Sequence, residues 1–259
     1  MSKILILGAT SAIAQAYARR RAAQGASFIL AGRHQQRLAA NAADLVACGA
    51  KAAEVFAADL AAIETIDDNL RTIKARFGAP DEVFLAYGTL GEQTAAEQDL
   101  AQARVLMDTN YTSAALWVLG LIRDKPPASP LTIVGIGSVA GDRGRAKNYI
   151  YGSSKAALDR FLEGLTHKHD GSDIRIIRVR PGFVDTPMTA SMQKGGPLWA
   201  TTDKVAVDIE RDDVAVPARF QSRDQVLPDE PGGAGERDLG LAHALRSSGG
   251  GTRTTADGG

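Results

Sequence analysis

The chain has 259 residues, 44% of them hydrophobic, and sets 30 basic against 30 acidic side chains with one cysteine. Balanced charge with no long run of one sign leaves no electrostatic footprint for nucleic acid or an anionic membrane, and the lone Cys48 excludes an intramolecular disulfide framework and a multi-cysteine metal site. The length and apolar fraction suit one α/β domain with a sizeable core and a small-molecule ligand.

Lys3 to Leu7 reads as a buried strand, Gly8 to Ser11 as a turn, and an Ala-rich helical pattern follows to near Gly25. The next strand, Phe28 to Ala31, closes at Gly32 and Arg33 before a helix over Gln35 to Cys48, and a third strand, Ala53 to Ala57, stops at Asp59. Residues 63 to 77 have helical spacing; Pro80 and Asp81 then punctuate before the strand Glu82 to Ala86 and the turn at Tyr87 and Gly88. Residues 95 to 122 form one long helical stretch containing Asn110, ended by Pro126, Pro127 and Pro130. The apolar run Leu131 to Ile136 is a buried strand that delivers Ser138 at its carboxyl end, and a helix with Tyr151 and Lys155 runs to about His169. A sixth strand, Ile174 to Val179, ends in Arg180, Pro181 and Gly182. This alternation predicts a doubly wound parallel sheet with helices on both faces over residues 1–210. Residues 211–259 hold nine of the 27 glycines, and only Val214–Val216 and Leu239–Leu245 are apolar enough to pack, so the expectation there is a poorly ordered tail. No run approaches the roughly 18 apolar residues that cross a bilayer, and the amino-terminal apolar run is too short for a signal peptide; the expected location is cytoplasmic.

Tyr151 and Lys155 are four apart, so on a helix they share a face and the ammonium is expected to stabilise the phenolate, moving the tyrosine toward neutral pH. Tyr149, six residues from Lys155, falls on another face. The Y-x-x-x-K spacing is weak alone and gains meaning from Ser138 at a strand's carboxyl end, where open α/β sheets bind ligands. The turn Gly8, Ala9, Thr10, Ser11, Ala12, Ile13, Ala14 sits where a dinucleotide pyrophosphate meets a helix N-terminus, although alanines replace two glycines of the usual fingerprint. At the end of the second strand no carboxylate stands to bind a ribose 2′-hydroxyl. Arg33, next to His34, matches a 2′-phosphate instead, so NADP is expected over NAD. His167, His169 and His243 have no partners at metal-ligand spacing, and no metal site is expected.

With these motifs in order, residues 1 to about 205 resemble the short-chain dehydrogenase/reductase family. The resemblance implies a Rossmann-type fold, carbonyl–alcohol oxidoreduction with NAD(P), and a homodimer or homotetramer. It maps the glycine-rich turn to Gly8, Ala12 and Ala14, the Asn-Ala-Gly turn to Ala86, Tyr87 and Gly88, and the catalytic asparagine, serine, tyrosine and lysine to Asn110, Ser138, Tyr151 and Lys155. Cofactor contacts are implied at Gly8, Thr10, Ser11, Ala12, Ile13, Arg33, Asp59, Leu60, Ala86, Tyr87, Gly88, Tyr151, Lys155, Pro181, Gly182, Val184 and Thr186. The stretches LAYGTLGE, NYTSA, SVAGDRGR and YGSSKAALDRFLEGL are similar to reductases of lipid-linked keto-pentoses, which implies a lipid-linked sugar ketone as substrate. On that reading Arg143, Arg145 and Lys147 face a lipid phosphate, and residues 186–204, with Met188, Met192, Leu198 and Trp199, form a lid. The alternative from another class is a dinucleotide-binding sensor or scaffold without turnover, which the altered glycine turn and the atypical tail keep open and the intact set Asn110, Ser138, Tyr151 and Lys155 argues against.

Overall fold

The first strand, β1 (Lys3–Leu7), shows how the sequence builds the sheet: Ile4 and Ile6 enter one buried cluster, Leu5 and Leu7 the other, and all four are essentially inaccessible. A strand covered on both faces needs continuous rather than alternating hydrophobicity. A computed structural model describes residues 2–193 and 199–211. Leu198, His243 and the expected tail past Arg211 lie outside the described residues.

The elements run β1, α1 (Ala12–Ala23), β2 (Ser27–Gly32), α2 (Gln35–Ala47), β3 (Ala52–Ala57), α3 (Ile66–Phe77) and β4 (Glu82–Leu85). They continue through α4 (Gln93–Gln98), α5 (Leu100–Met107), α6 (Ser113–Arg123), β5 (Leu131–Ile136), α7 (Tyr149–Lys168), β6 (Ile174–Val179), β7 (Phe183–Val184), β8 (Trp199–Ala200) and α8 (Thr202–Glu210). Six parallel strands pair in the order β3-β2-β1-β4-β5-β6. The doubly wound parallel sheet expected from the sequence is the observed fold. Strand order reverses between β1 and β4, and such a sheet binds its ligand beyond the carboxyl ends at that point. Helices α1, α2 and α8 bury one face, and α3, α6 and α7 the other.

The single helix expected over residues 95–122 is instead three helices and a π-turn. Glu92 caps α4 through the N–H groups of Thr94 and Ala95, Asp99 ends α4 and caps α5 through Ala101 N, and Asp108–Thr112 forms the π-turn before α6. The break at Asp99 follows from a carboxylate that competes for backbone donors. The stretch Leu100–Arg123 is long and apolar enough by composition to cross a membrane, yet half of its most apolar window is buried inside the protein. Trp117 and Val118 are fully enclosed there, and Trp117 Nε1 donates to the Leu60 carbonyl at 3.0 Å.

The described residues of the expected lid, 186–193 and 199–204, fall into separate elements. Trp199–Ala200 pairs as a strand with β7, Phe183 and Trp199 stack at 5.4 Å, and Thr202 begins α8, which buries Val205, Ala206 and Ile209. Glu210 of α8 bonds Arg20 and Gln24 of α1. Beside this contact, at the amino end of the sheet, Tyr17 donates to Glu82 at 2.5 Å, Arg21 pairs with Glu82 at 3.1 Å, and the Tyr17 ring stacks on Phe84 at 4.5 Å. Burial pushes both the Tyr17 hydroxyl and the Glu82 carboxyl upward from their ordinary values, the latter opposed by its bonds to Tyr17 and Arg21.

Candidate active site

Each strand near the switch point sends a turn into one groove. After β1, Gly8 adopts φ 92°, and its N–H and that of Ala9 both donate to Ala31 O, at 3.0 and 3.1 Å. A Cβ at Gly8 would sit 2.6 Å from Tyr87 N, so the turn after β1 lies directly against the turn after β4. Ser11 stands at the N-cap of α1 without a side-chain hydrogen bond to the helix, an end suited to an anionic ligand. Ile13 and Ala14 are buried and Thr10, Ser11 and Ala12 partly exposed; Ala14 packs into the core where a fingerprint glycine would let the helix approach the sheet. Arg33 follows β2 and is exposed. After β3, exposed Asp59 accepts from Ala61 N at 3.1 Å, and Leu60 is buried beneath it.

The turn after β4 carries Ala86, Tyr87 and Gly88. Burial raises the Tyr87 hydroxyl, whose hydrogen bond with Ser113 Oγ spans 2.9 Å and opposes that rise. A Cβ on Gly88 would lie 3.0 Å from Asn110 Oδ1 and 3.4 Å from Lys155 Nζ, so the turn passes directly over both. Asn110, in the π-turn and 1% exposed, clasps the next residue: its Oδ1 accepts from Thr89 N and its Nδ2 donates to Thr89 O, both at 2.8 Å. Its Nδ2 also reaches Ser154 Oγ at 3.1 Å, and Ser154 Oγ donates to Tyr151 O at 2.7 Å. The asparagine is thereby tied to the tyrosine's helix.

Ser138 emerges after β5 and caps a short 3-10 turn, its Oγ accepting from Ala140 N at 3.1 Å. That turn lies flush on α7: a Cβ at Gly141 would sit 2.7 Å from Ala156 N, and one at Gly152 would sit 2.7 Å from Ala140 O. Two glycines therefore fix the distance between Ser138 and Tyr151. Burial raises the Tyr151 phenol and a hydrogen bond with Ser138 lowers it. Lys155 is 5% exposed, and burial alone brings its ammonium down to about 8, with Nζ donating to Ile136 O at 3.0 Å.

Asn110, Ser138, Tyr151 and Lys155 are thus brought together, but the expected electrostatics need correction. The lysine was expected to depress the phenol; the net direction at Tyr151 is upward, because desolvation exceeds what Ser138 supplies and Lys155 bonds a carbonyl. Pro181 and Gly182 follow β6, Val184 is buried in β7, and Thr186 N donates to Thr189 Oγ1 at 3.2 Å. Sequence reasoning missed Thr89, Ser113 and Ser154. Ser154, three residues after Tyr151 in a run of small residues, carried the one readable signal.

The groove fits a dinucleotide: an uncapped helix start, a glycine turn against main chain, an exposed arginine at β2 and a buried lysine below Gly88. Comparison with known proteins agrees. The family described as short chain dehydrogenase matches residues 2–196. An uncharacterised oxidoreductase of Mycobacterium tuberculosis is 38% identical over 80% of this chain and 83% of its own, and sulfoacetaldehyde reductase 2 of Chromohalobacter salexigens is 31% identical over 82% and 84%. Among solved structures, a variant actinorhodin polyketide ketoreductase with NADPH superposes with a TM-score of 0.70 at 21% identity, covering 81% of this chain and 89% of that one. An alcohol dehydrogenase from Thermococcus sibiricus complexed with 5-hydroxy-NADP gives 0.71 at 22%, covering 82% and 89%; these two show the shared fold. The chain belongs to the short-chain dehydrogenase family and is an oxidoreductase with an NAD(P)-binding Rossmann fold.

Proposed function

We propose that the protein reduces a ketone to a secondary alcohol with NADPH. The observation that carries this reading is the meeting of Ser138, Tyr151 and Lys155 at the carboxyl end of β5, beside the switch point of the sheet. Ser138 and Tyr151 hold the substrate carbonyl oxygen by hydrogen bonds, in a site where burial keeps water from competing. Tyr151 keeps its proton at neutral pH, as its raised phenol requires, and gives it to the alkoxide. Lys155 stands behind it as the charge that stabilises the resulting phenolate and holds the nicotinamide ribose, and Asn110 fixes Thr89 and the helix of Tyr151. Gly8, Thr10, Ser11, Ala12 and Ile13 hold the pyrophosphate, Asp59, Leu60, Ala86, Tyr87 and Gly88 the adenosine side, and Pro181, Gly182, Val184 and Thr186 the nicotinamide. Arg33 selects the 2′-phosphate. The bound cofactor supplies hydride to the carbonyl carbon.

The finer reading is a ketone on a lipid-linked sugar, supported by the sequence stretches around Gly88, Asn110 and Tyr151 and by the half-exposed apolar Phe183 and Met188 near the groove. It takes the catalytic domain as residues 1–210 in a cytoplasmic homodimer or homotetramer. The test is fluorescence titration with NADPH and NADH, then cofactor oxidation over neutral ketones, keto-sugars and lipid-linked keto-sugars. NADPH binding with turnover abolished in Tyr151→Phe is expected; binding without turnover, unchanged in that variant, would return the protein to the sensor class.

A further inference from the structure

Several described cations away from the groove are tied to acids. Arg19, Arg21, Arg71, Arg123, Arg160 and Arg178 all hold carboxylates. The carboxyl edge of the sheet carries cations without such partners. Arg33 and Arg37 near the end of β2, and Arg143, Arg145 and Lys147 between the catalytic serine and tyrosine, are exposed and make no ion pair among the described residues. Arg33 faces the cofactor's phosphate on the reading above. The second group, which the sequence resemblance sets against a lipid phosphate, lies between the serine and the tyrosine of the proposed site.

Its loop is built rather than loose. Asp142, where it begins, pairs with Arg180 at 3.0 Å, so the loop's own acid is already engaged. Asn148 N donates to Arg145 O at 3.1 Å inside the loop, and Gly152 N to Asn148 O at 2.8 Å fastens its end to the helix of Tyr151. Gly141, just before it, abuts Ala156 of the same helix. The other nearby acids are also engaged: Glu92 caps α4, and Glu97 bonds Tyr149. Five consecutive residues thus carry three uncompensated positive charges, anchored at both ends to the elements that hold Ser138 and Tyr151. Like charges so close destabilise the unliganded loop and are relieved by an anion.

We infer that the loop Asp142–Asn148 is a specificity element that binds an anionic group, a phosphate, sulfonate or carboxylate, carried by the carbonyl substrate beside its reacting centre. This rests on Ser138 and Tyr151 holding the carbonyl. Arg143, Arg145 and Lys147 read the substituent, and the gain appears in KM rather than kcat because the anion is held equally in ground and transition states.

The test uses NADPH-saturated protein, in which Arg33 is already engaged, titrated calorimetrically with phenyl phosphate, phenyl sulfonate, benzoate and phenol. The three anions are expected to bind at least about tenfold more tightly than phenol, with affinity falling as salt rises. Their rank shows which acid the loop prefers. The triple variant Arg143→Ala, Arg145→Ala, Lys147→Ala should lose that preference while its NADPH affinity changes less than about twofold. Equal binding of phenol and the anions, or a preference that survives in the triple variant, overturns the inference. Failure of the wild type to bind NADPH defeats the dehydrogenase reading instead, and the same titrations of cofactor-free Arg33→Ala protein still decide the loop. Dihydroxyacetone phosphate against dihydroxyacetone supplies the kinetic counterpart wherever turnover is seen, the difference expected in KM.

Discussion

The two ends of the sheet each bury a tyrosine beside a charged group, and they are wired differently. At the amino end, Tyr17 donates to Glu82, Glu82 also holds Arg21, and the ring rests on Phe84. At the carboxyl end, Tyr151 has Ser138 for a partner, and the nearby Lys155 spends its hydrogen bond on a backbone carbonyl, with no carboxylate among the described residues to balance it. The first cluster is closed, each charge matched inside the protein. The second is left open toward the groove. A partner offsets much of the desolvation cost of a buried ion, whereas an ion without one leaves that cost uncompensated.

The largest expected effect separates the two tyrosines by what each loses. Tyr151→Phe should lower ketone reduction about 10³-fold with unchanged NADPH affinity and little change in thermal stability, while Tyr17→Phe should leave kcat intact and cost about 1 kcal/mol in denaturant unfolding. Next, Glu82→Ala strands Arg21 and the Tyr17 hydroxyl and should cost about 3 kcal/mol by the same measurement. Lys155→Met should do the opposite, stabilising the cofactor-free protein by about 2 kcal/mol at pH 7 while ending turnover. The sign follows from the shift: the folded lysine titrates near 8 and the unfolded one at 10.5, so the folding penalty is full below pH 8 and fades as pH rises through 10.5. The wild-type kcat/KM for reduction should accordingly fall above about pH 8 as the ammonium is lost; a plateau to pH 10 would break the contrast between the two ends. The smallest effect is Arg33→Ala, which should weaken NADPH about tenfold and leave NADH within twofold, measured by fluorescence titration. Equal loss for both would remove the phosphate role.

Much of this was readable because the parallel sheet needs uninterrupted apolar strands, and Lys3–Leu7, Leu131–Ile136 and Ile174–Val179 advertise themselves. Ser138, Tyr151 and Lys155 were singled out by spacing and order along the chain, and Asn110 by the family resemblance. The helix breaks at Asp99 and Asp108–Thr112 were not, since the apolar period continues through them and the interruption comes from carboxylate caps and a π-turn. Nor did spacing reveal which way burial moves Tyr151, a property of surrounding atoms from distant elements. The bonds of Ser154 depend on Asn110, 44 residues earlier, and no local pattern encodes them. The short pair of β7 and β8 was missed for the same reason, its two-residue strands being too brief for any period to register.

The contact of Gly8 with Tyr87 has a consequence for redesign. The space a side chain at position 8 would need is filled by main chain, which cannot rotate out of the way as a side chain would. The cofactor turn and the turn over Asn110 and Lys155 are therefore keyed to each other. On the reading proposed for Arg33, a change at the solvent-facing tip of β2 would alter cofactor preference alone, whereas a substitution at Gly8 would be transmitted through Tyr87 to Gly88 and be rescued only by a compensating change in the β4 turn.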